Sequence, residues 1–301
     1  MTVDKIDFVI PFVNPNDEQW QAAFKQYTKA EVDCRFRDWG TLPYVIRSIE
    51  KHLPWINQLV LIAASESQVP SWLDSTKVRV VYHKDFIPEQ YLPTFNSNTI
   101  EMFLGNIKGL SEHFIYSNDD IYFLKDMQPT DFFGEKGNPI VRYLVKGKID
   151  SAFLKLVKHT CEVVRKDFTH VSLANDKFYK PLHFCQPMYM PIVKTVAALH
   201  EAEMLASITR VRDAELNLNQ YLYTDYEIFM GYGSQDDTIG MYFSFDNHTI
   251  GELAQVLLST PDKISILCVN DTFVATEDQG SIVRKLMDIA FPNPSKYELN
   301  V

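Results

Sequence analysis

Little punctuates this 301-residue chain: it has eleven glycines, four cysteines, no Gly/Ser-rich stretch and no internal repeat. That scarcity excludes collagen-like and low-complexity chains. The cysteines, Cys34, Cys161, Cys185 and Cys268, never form a CxxC pair. They suggest neither a zinc motif nor a disulfide framework, and read as small buried hydrophobes. No apolar run approaches the ~18 residues a membrane span needs, and Met1-Thr2-Val3-Asp4-Lys5 lacks the basic and then apolar run of a signal peptide. A cytoplasmic placement is expected. Positive charge is also short: 29 Lys+Arg stand against 39 Asp+Glu, a formal net charge of −10. Such a chain does not wrap nucleic acid or hold an anionic membrane by bulk charge, so any anionic substrate must be met by local cations or a metal.

What is present is core-forming material. Hydrophobic residues make up 46% and aromatics 13%, enough for one large domain or a core with a sizeable insertion. Three short β-branched and aromatic runs each stop at an Asn/Asp cluster: Ile6 to Val13 at Asn14-Pro15-Asn16-Asp17, Phe114 to Ser117 at Asn118-Asp119-Asp120, and Ile264 to Val269 at Asn270-Asp271. Each reads as a buried strand. Asn and Asp start turns everywhere, but three such ends together predict polar groups converging in the crevice outside the carboxyl ends of an open sheet. Between the first two runs, Leu42 to His52 has helical spacing, while Gln58 to Ala63 and Val78 to Tyr82 read as strands. This β-α-β alternation predicts an α/β fold with a Rossmann-like open sheet. Asp131 to Pro139 is rich in breakers and reads as an exposed loop. From about Ser151 to Gly231 the pattern turns mostly helical, broken by Pro181, Pro187 and Pro191. The expected organisation is a first core part over 1–150, a helical insertion over 151–232 and a return to the core over 233–301.

Adjacent carboxylates at a strand end, as in Asp119-Asp120, suit a hard divalent ion that bridges substrate phosphates, and Asp271 ends a comparable strand. His183 sits in the proline-bracketed Lys180-Pro181-Leu182-His183-Phe184-Cys185-Gln186-Pro187. That rigidity makes it a candidate base, with His83, after a strand-like run, as a second. Arg210 and Arg212 alternate in sequence, and Arg35, Arg37 and Arg47 lie near the first helix. Their planar forks suit phosphate, although for any single one of them surface ion pairing with Asp38, Glu50 or Asp213 is the simpler explanation. Leu92 to Glu101 carries Asn96 and Asn98 into a helix N-terminus, where backbone N–H groups favour anions.

In their order these segments resemble the Stealth family of sugar-1-phosphate transferases. One block runs from Ile6 through Asn14-Pro15-Asn16-Asp17 to Trp20. The most specific runs from Arg35-Phe36-Arg37-Asp38 through Arg47-Ser48-Ile49-Glu50, Pro54-Trp55, His83-Lys84-Asp85 and Leu92-Pro93-Thr94-Phe95-Asn96-Ser97-Asn98 to Asn118-Asp119-Asp120. A third covers about His183 to Tyr223, and a fourth pairs Leu267 to Asp271 with Phe291 to Glu298. The chain departs from the family at Asn14-Pro15, where an aspartate-glycine turn is usual, after the second strand at Ala64 to Gln68, and at Cys185-Gln186, which lengthen the spacing from His183 to Pro187. These departures bear on sugar specificity more than on reaction type.

The resemblance implies transfer of a sugar 1-phosphate from a nucleotide sugar, expected to be a UDP-sugar, to a hydroxyl of a glycan or lipid-linked glycan acceptor. Nucleoside monophosphate leaves, and the product belongs to a capsular or exopolysaccharide. It implies Mg²⁺ or Mn²⁺ on Asp119 and Asp120 with Asp271 nearby, His183 as base and Arg212 with Arg210 on phosphate. Asp7, Arg37, Arg47, Asn96, Asn98 and His83 are the expected substrate contacts. Work at the inner face of the membrane would need only peripheral contact. Two other readings stand beside it: a metal-dependent glycosyltransferase, which releases nucleoside diphosphate, and a noncatalytic carbohydrate-binding protein.

Overall fold

The computed structural model describes residues 3–29 and 31–299. The first run forms β1 (Ile6–Pro11), and Asp17 caps α1 (Glu18–Tyr27) by accepting from the Gln19 N–H. Next come α2 (Leu42–His52), β2 (Gln58–Ala63), β3 (Arg79–Tyr82), the short α3 (Ser97–Met102) and β4 (His113–Tyr116). Strands β1, β2, β3 and β4 are parallel, and the sheet order is β3-β2-β1-β4. The chain thus steps outward from β1 to β3 and then returns to the other side of β1. This places the switch in strand order, where open α/β sheets take ligands, between the carboxyl ends of β1 and β4.

A parallel sheet covered on both faces needs strands that are apolar throughout, and Phe8, Val9 and Ile10 are fully buried. Alternation sends Phe8 and Ile10 into one core with Val45, Ile46 and Ile49 of α2, and Val9 into a second core with Phe114 and Tyr116 of β4. A small aromatic cluster of Trp20, Phe24 and Phe95, with Phe36 and Val211 against it, lies beyond the end of β1.

After Asp120 the chain leaves the main sheet as β5 (Ile121–Phe123), and β6 (Val141–Lys146) follows. Asp131 to Pro139, expected as an exposed loop, buries Phe132 and Phe133 in the first core and exposes only Glu135 and Lys136 among its residues. Two aromatic side chains bury enough area to override the breakers around them.

The segment expected as a helical insertion contains α4 (Ala152–Arg165), β7 (Phe178–Pro181), β8 (Gln186–Tyr189), α5 (Met190–Leu199), α6 (Glu201–Ala206) and α7 (Tyr221–Phe229). It is not set apart from the sheet. Val157, Cys161, Val164, Val193, Leu222 and Tyr223 share the second core with Phe114 and Tyr116, and β8 pairs antiparallel with β4 as the edge strand of the main sheet. The chain closes with β9 (Gly233–Gln235), β10 (Gly240–Ser244), α8 (Ile250–Ser259), β11 (Ile266–Asn270) and α9 (Glu277–Ala290). Two three-stranded sheets complete the described residues, ordered β10-β11-β5 and β7-β6-β9. The third Asn/Asp-ended strand, β11, therefore belongs to a small sheet and not to the main one.

Asp225 on α7 is completely buried, and its two carboxylate oxygens have no hydrogen-bond partner among the described residues. Burial lifts its pKa well above the ordinary value. The folded chain then keeps this proton where the unfolded chain has lost it, so stability declines as pH rises above about 4. Asp225→Asn removes that titration. Its Tm relative to wild type is expected to be higher at pH 8 than at pH 5 by thermal melts, and an equal offset at both pH values would contradict a buried protonated acid.

Candidate active site

Asn118-Asp119-Asp120 forms the turn between β4, in the main sheet, and β5, in a small one. Backbone bonds fix it at both ends. The Ser117 N–H donates to the Val9 carbonyl at 2.9 Å, and the Val269 N–H donates to the Asp120 carbonyl at 2.9 Å. Antiparallel pairing of β5 with β11 sets Cys268 opposite Ile121, and the Cys268 thiol donates to Asp120 Oδ2 at 3.4 Å. The other carboxylate oxygen, Oδ1, is buried without a partner.

His183 enters from the connection between β7 and β8. The Leu182 N–H donates to the Arg142 carbonyl at 2.8 Å, and the Gln186 side chain donates to the Leu182 carbonyl at 2.6 Å, so the connection is tied on both sides of the histidine. The Asn118 amide donates to His183 Nε2 at 3.3 Å, which assigns the ring proton to Nδ1. One ligand-capable atom each from Asp120, His183 and Cys268 lies within 4.8 Å of the others.

The electrostatics follow from packing. Asp119 and Asp120 are half-buried by area, yet the surrounding protein displaces enough water to raise both. Asp119 is pushed up to about 7, first by burial and then by the charges of Asp120 and Asp38. Asp120 is pushed up to about 6 by burial, with the Cys268 thiol pulling the other way. Burial lowers His183 to about 4, helped by Lys180 and Arg212, so its ring is neutral at pH 7 and able to accept a proton. The Cys268 thiol is lifted well above its usual range by burial and by Asp120, and it acts as a donor.

These groups suit a divalent cation. Two adjacent carboxylates, each raised, plus a buried carboxylate oxygen without a donor, are relieved by a hard ion that takes oxygen ligands. The protonated thiol and the nitrogen held by Asn118 are the poorer ligands of the group.

Arg212 arrives by stitching between distant segments. The Phe95 N–H donates to the Arg210 carbonyl at 2.8 Å, the Thr99 hydroxyl to the Thr209 carbonyl at 2.7 Å, and the Asn96 amide to Thr209 Oγ1 at 3.0 Å. Arg212 then donates to Ser97 Oγ at 2.5 Å; the residue is exposed by area, although the surrounding protein desolvates its guanidinium and lowers its pKa, and its charge bears on His183. Glu101 lies buried behind it. Burial holds this carboxyl up at about 7, against the Gln220 N–H that donates to Oε2 at 2.8 Å and the charge of Arg212.

Other expected site residues lie elsewhere or are already occupied. Both oxygens of Asp271 accept from Arg37, at 2.6 Å each, so the two residues are paired with each other. Arg37 also donates to the Thr272 and Ala275 carbonyls. Arg47 grips Glu298 with two bonds of 2.8 and 2.7 Å and ties the C-terminal segment to α2. Asp7 is at the amino end of β1, opposite the crevice, accepting from the Asn57 amide and the Ser111 N–H. His83 follows β3, the far edge strand of the main sheet, and burial lowers it to about 4. Arg210 donates to the Leu92 and Gln90 carbonyls and lies 5.0 Å over the Tyr27 ring, bracing a turn. Asn96 caps α3 and bonds Asn217 as well as Thr209. Asn98 is buried with an unpartnered amide nitrogen.

Sequence reasoning passed over Asn118 as a partner of His183, Cys268 beside Asp120, Glu101 behind Arg212, and Asp38. The last lines a cavity of about 410 Å³ with Pro15, Asn16, Asp33, Cys34, Arg37 and Glu277, just beyond the carboxyl end of β1. The charge of Asp38 also bears on Asp119. The cavity has the size of a small-ligand site.

The sequence matches the model of Stealth protein CR2, conserved region 2, over residues 35–141. It is 30% identical to the receptor polysaccharide phosphotransferase WefC of Streptococcus oralis, over 99% of this chain and all of that one. It is 43% identical to the exopolysaccharide phosphotransferase cps2G of Lactiplantibacillus plantarum, over 44% of this chain and 41% of that one. A capsular polysaccharide phosphotransferase, WcwK of Streptococcus pneumoniae, is 28% identical over 99% of this chain and all of that one. Among solved structures, the galactosyltransferase LgtC in complex with donor and acceptor sugar analogs aligns over 97% of this chain and 98% of that one, with a TM-score of 0.45 and 11% identity.

Proposed function

The chain belongs to the Stealth family of polysaccharide phosphotransferases, and we propose that it transfers a sugar 1-phosphate from a nucleotide sugar to a hydroxyl of a glycan acceptor during capsular or exopolysaccharide synthesis. The observation that carries this reading is His183 beside Asp120 and hydrogen-bonded to Asn118, in the turn at the switch point between β1 and β4.

In the proposed reaction the acceptor hydroxyl oxygen attacks the phosphorus that bears the sugar. The new O–P bond forms as the P–O bond to the nucleoside monophosphate breaks. The hydroxyl proton passes to His183 Nε2, the position now facing the Asn118 amide. The sugar C1–O bond is not touched, so anomeric configuration is retained without a glycosyl-enzyme intermediate.

Asp119 and Asp120 would hold Mg²⁺ or Mn²⁺, which when bound supplies positive charge to the diphosphate. Arg212 supplies further charge to the non-bridging oxygens, with Glu101 as its buried counter-charge. The uncharged nucleoside half of the donor, expected to be uridine, fits the cavity around Asn16, Asp33 and Asp38, where the guanidinium of Arg37 is already paired with Asp271 and the carboxylates disfavour phosphate. No helix among the described residues is long and apolar enough to cross a membrane. We place the reaction in the cytoplasm, with a lipid-linked acceptor reached by peripheral contact.

Incubation with UDP-sugars, GDP-mannose and Mg²⁺ or Mn²⁺, followed by identification of the nucleotide released, tests the reaction class. Nucleoside monophosphate is expected. Nucleoside diphosphate would instead establish attack at sugar carbon, and no turnover with any donor would favour a binding protein.

Arg212→Lys checks the phosphate contact. A single ammonium cannot reproduce two N–H bonds to one phosphate, so kcat/KM is expected to fall about tenfold or more. A loss well under tenfold would leave Arg212 as an ordinary partner of Ser97.

A further inference from the structure

His183 is flanked by two aromatic rings from different parts of the fold. Phe153, in the first turn of α4, meets the imidazole edge-on with ring centroids 6.1 Å apart and planes at 90°. Tyr242, in the middle of β10, meets it at 5.5 Å and 84°. Neither ring is core: Phe153 is 38% and Tyr242 41% exposed, whereas their neighbours Tyr221 and Phe243 are almost wholly covered. Phe153 is also propped edge-on by Tyr221, with centroids 6.3 Å apart. Exposed aromatic surface beside a buried polar centre costs solvation and is characteristic of a binding surface.

The chemistry of a sugar fits this surface. A pyranose presents an apolar C–H face and a rim of hydroxyls, and small-ligand sites combine aromatic walls with a few aimed polar groups. A hydroxyl that gives its proton to His183 must come within hydrogen-bond reach of Nε2, so the ring carrying it must lie against whatever borders that histidine. Its aromatic borders are Phe153 and Tyr242, beside the polar Asn118 and Asp120. Within the crevice, the cationic Arg212 lies toward Ser97 and the nucleoside-sized cavity lies beyond β1, which leaves the aromatic pair to a neutral ligand.

We propose that Phe153 and Tyr242 form the acceptor subsite, a two-walled aromatic platform that seats a neutral pyranose ring with one hydroxyl directed at His183. This rests on the reading of His183 as the base. It adds that acceptor recognition is shared between α4 and β10, so either wall can tune which sugar is accepted without altering the donor site.

Saturation-transfer NMR, irradiating aromatic protons of the wild-type protein, provides the test, with methyl glycosides of glucose, galactose, mannose, rhamnose, N-acetylglucosamine and N-acetylgalactosamine as probes. Transfer to the C–H protons of at least one glycoside is expected. It should be lost in Phe153→Ala and in Tyr242→Ala, and retained in Phe153→Tyr and Tyr242→Phe. With the best glycoside as acceptor, either alanine variant is expected to raise the acceptor KM tenfold or more, while the donor KM moves less than twofold. Two results overturn the platform: no transfer from the wild-type protein to any glycoside, or undiminished transfer and acceptor KM in the double alanine variant. The NMR measurement needs no turnover. If no nucleoside monophosphate is released, the reaction class fails while the sugar platform is still judged on its own.

Discussion

Asp119→Ala and Asp120→Asn are expected to lower kcat by about 10²–10³-fold or more without unfolding the chain, because each removes an oxygen ligand from the charge that must meet the diphosphate. A protein whose formal net charge is −10 has no general means of attracting that donor. The carboxylates at the end of β4 therefore help binding only when a cation reverses their sign. Their titration supplies an independent measurement. With Asp119 raised to about 7 and Asp120 to about 6, the folded chain holds protons that the unfolded chain loses near pH 4. The share of stability that the metal-free protein owes to this pair should therefore fall as pH rises from about 4 to about 7 and level off above that, apart from the further decline that buried Asp225 causes. Added Mg²⁺ or Mn²⁺ should restore stability most at the upper end of this range, where its ligands are already deprotonated. The double variant Asp119→Asn, Asp120→Asn should lose this pair's share of the pH slope, keeping that of Asp225 and Glu101, and should lose the metal response. If single variants keep near-normal turnover at saturating Mg²⁺, the carboxylate pair does not hold the metal.

The parts of this site that lie on one strand were legible in the sequence, and those that depend on distant pairing were not. The runs forming β1, β2, β4 and β11 stop where the structure stops them to within a few residues, since each is apolar throughout and ends at a turn-forming cluster. Helix α2 matches its expected bounds because Ile46, Ile49 and Leu53 keep one face apolar. Strand β8 escaped notice because Pro187 argues against a ladder. It is tolerated there because β8 is an edge strand that pairs with β4 alone. The role of Cys268 depends on the β5–β11 register, and nothing in its own neighbourhood reports what faces Asp120. Asp271 shows the reverse failure. Its strand ends as expected, but Arg37, 234 residues away in sequence, occupies both of its oxygens, and no local pattern announces an ion pair of that span. By resemblance Asp7 is an expected substrate contact, yet strand direction puts it at the end away from the crevice.

His183→Ala is expected to lower kcat by ~10²-fold or more while leaving the donor KM nearly unchanged, since the imidazole acts on the acceptor hydroxyl and not on the nucleotide. The geometry separates it from the other histidine candidate. His183 lies one hydrogen bond from the turn that carries both aspartates, whereas His83 sits at the far edge strand with its ring against Phe86. Both rings are held neutral by burial, so protonation state alone does not choose between them. The low pKa of His183 also fixes the form of the pH profile. A base lowered to about 4 in the free enzyme gives an acidic limb of kcat/KM well below pH 6, and the anionic donor, once bound, shifts the corresponding limb of kcat upward. At saturating Mg²⁺, which keeps Asp119 and Asp120 deprotonated, His183→Gln keeps a hydrogen-bonding partner for Asn118 but cannot take up the proton, so it should lose the limb as completely as alanine does. Survival of the acidic limb in both His183 variants, with its disappearance in His83→Ala, would transfer the base role to His83. Survival in all three would place the base outside the histidines, with Asp119, already raised to about 7, the next group to test.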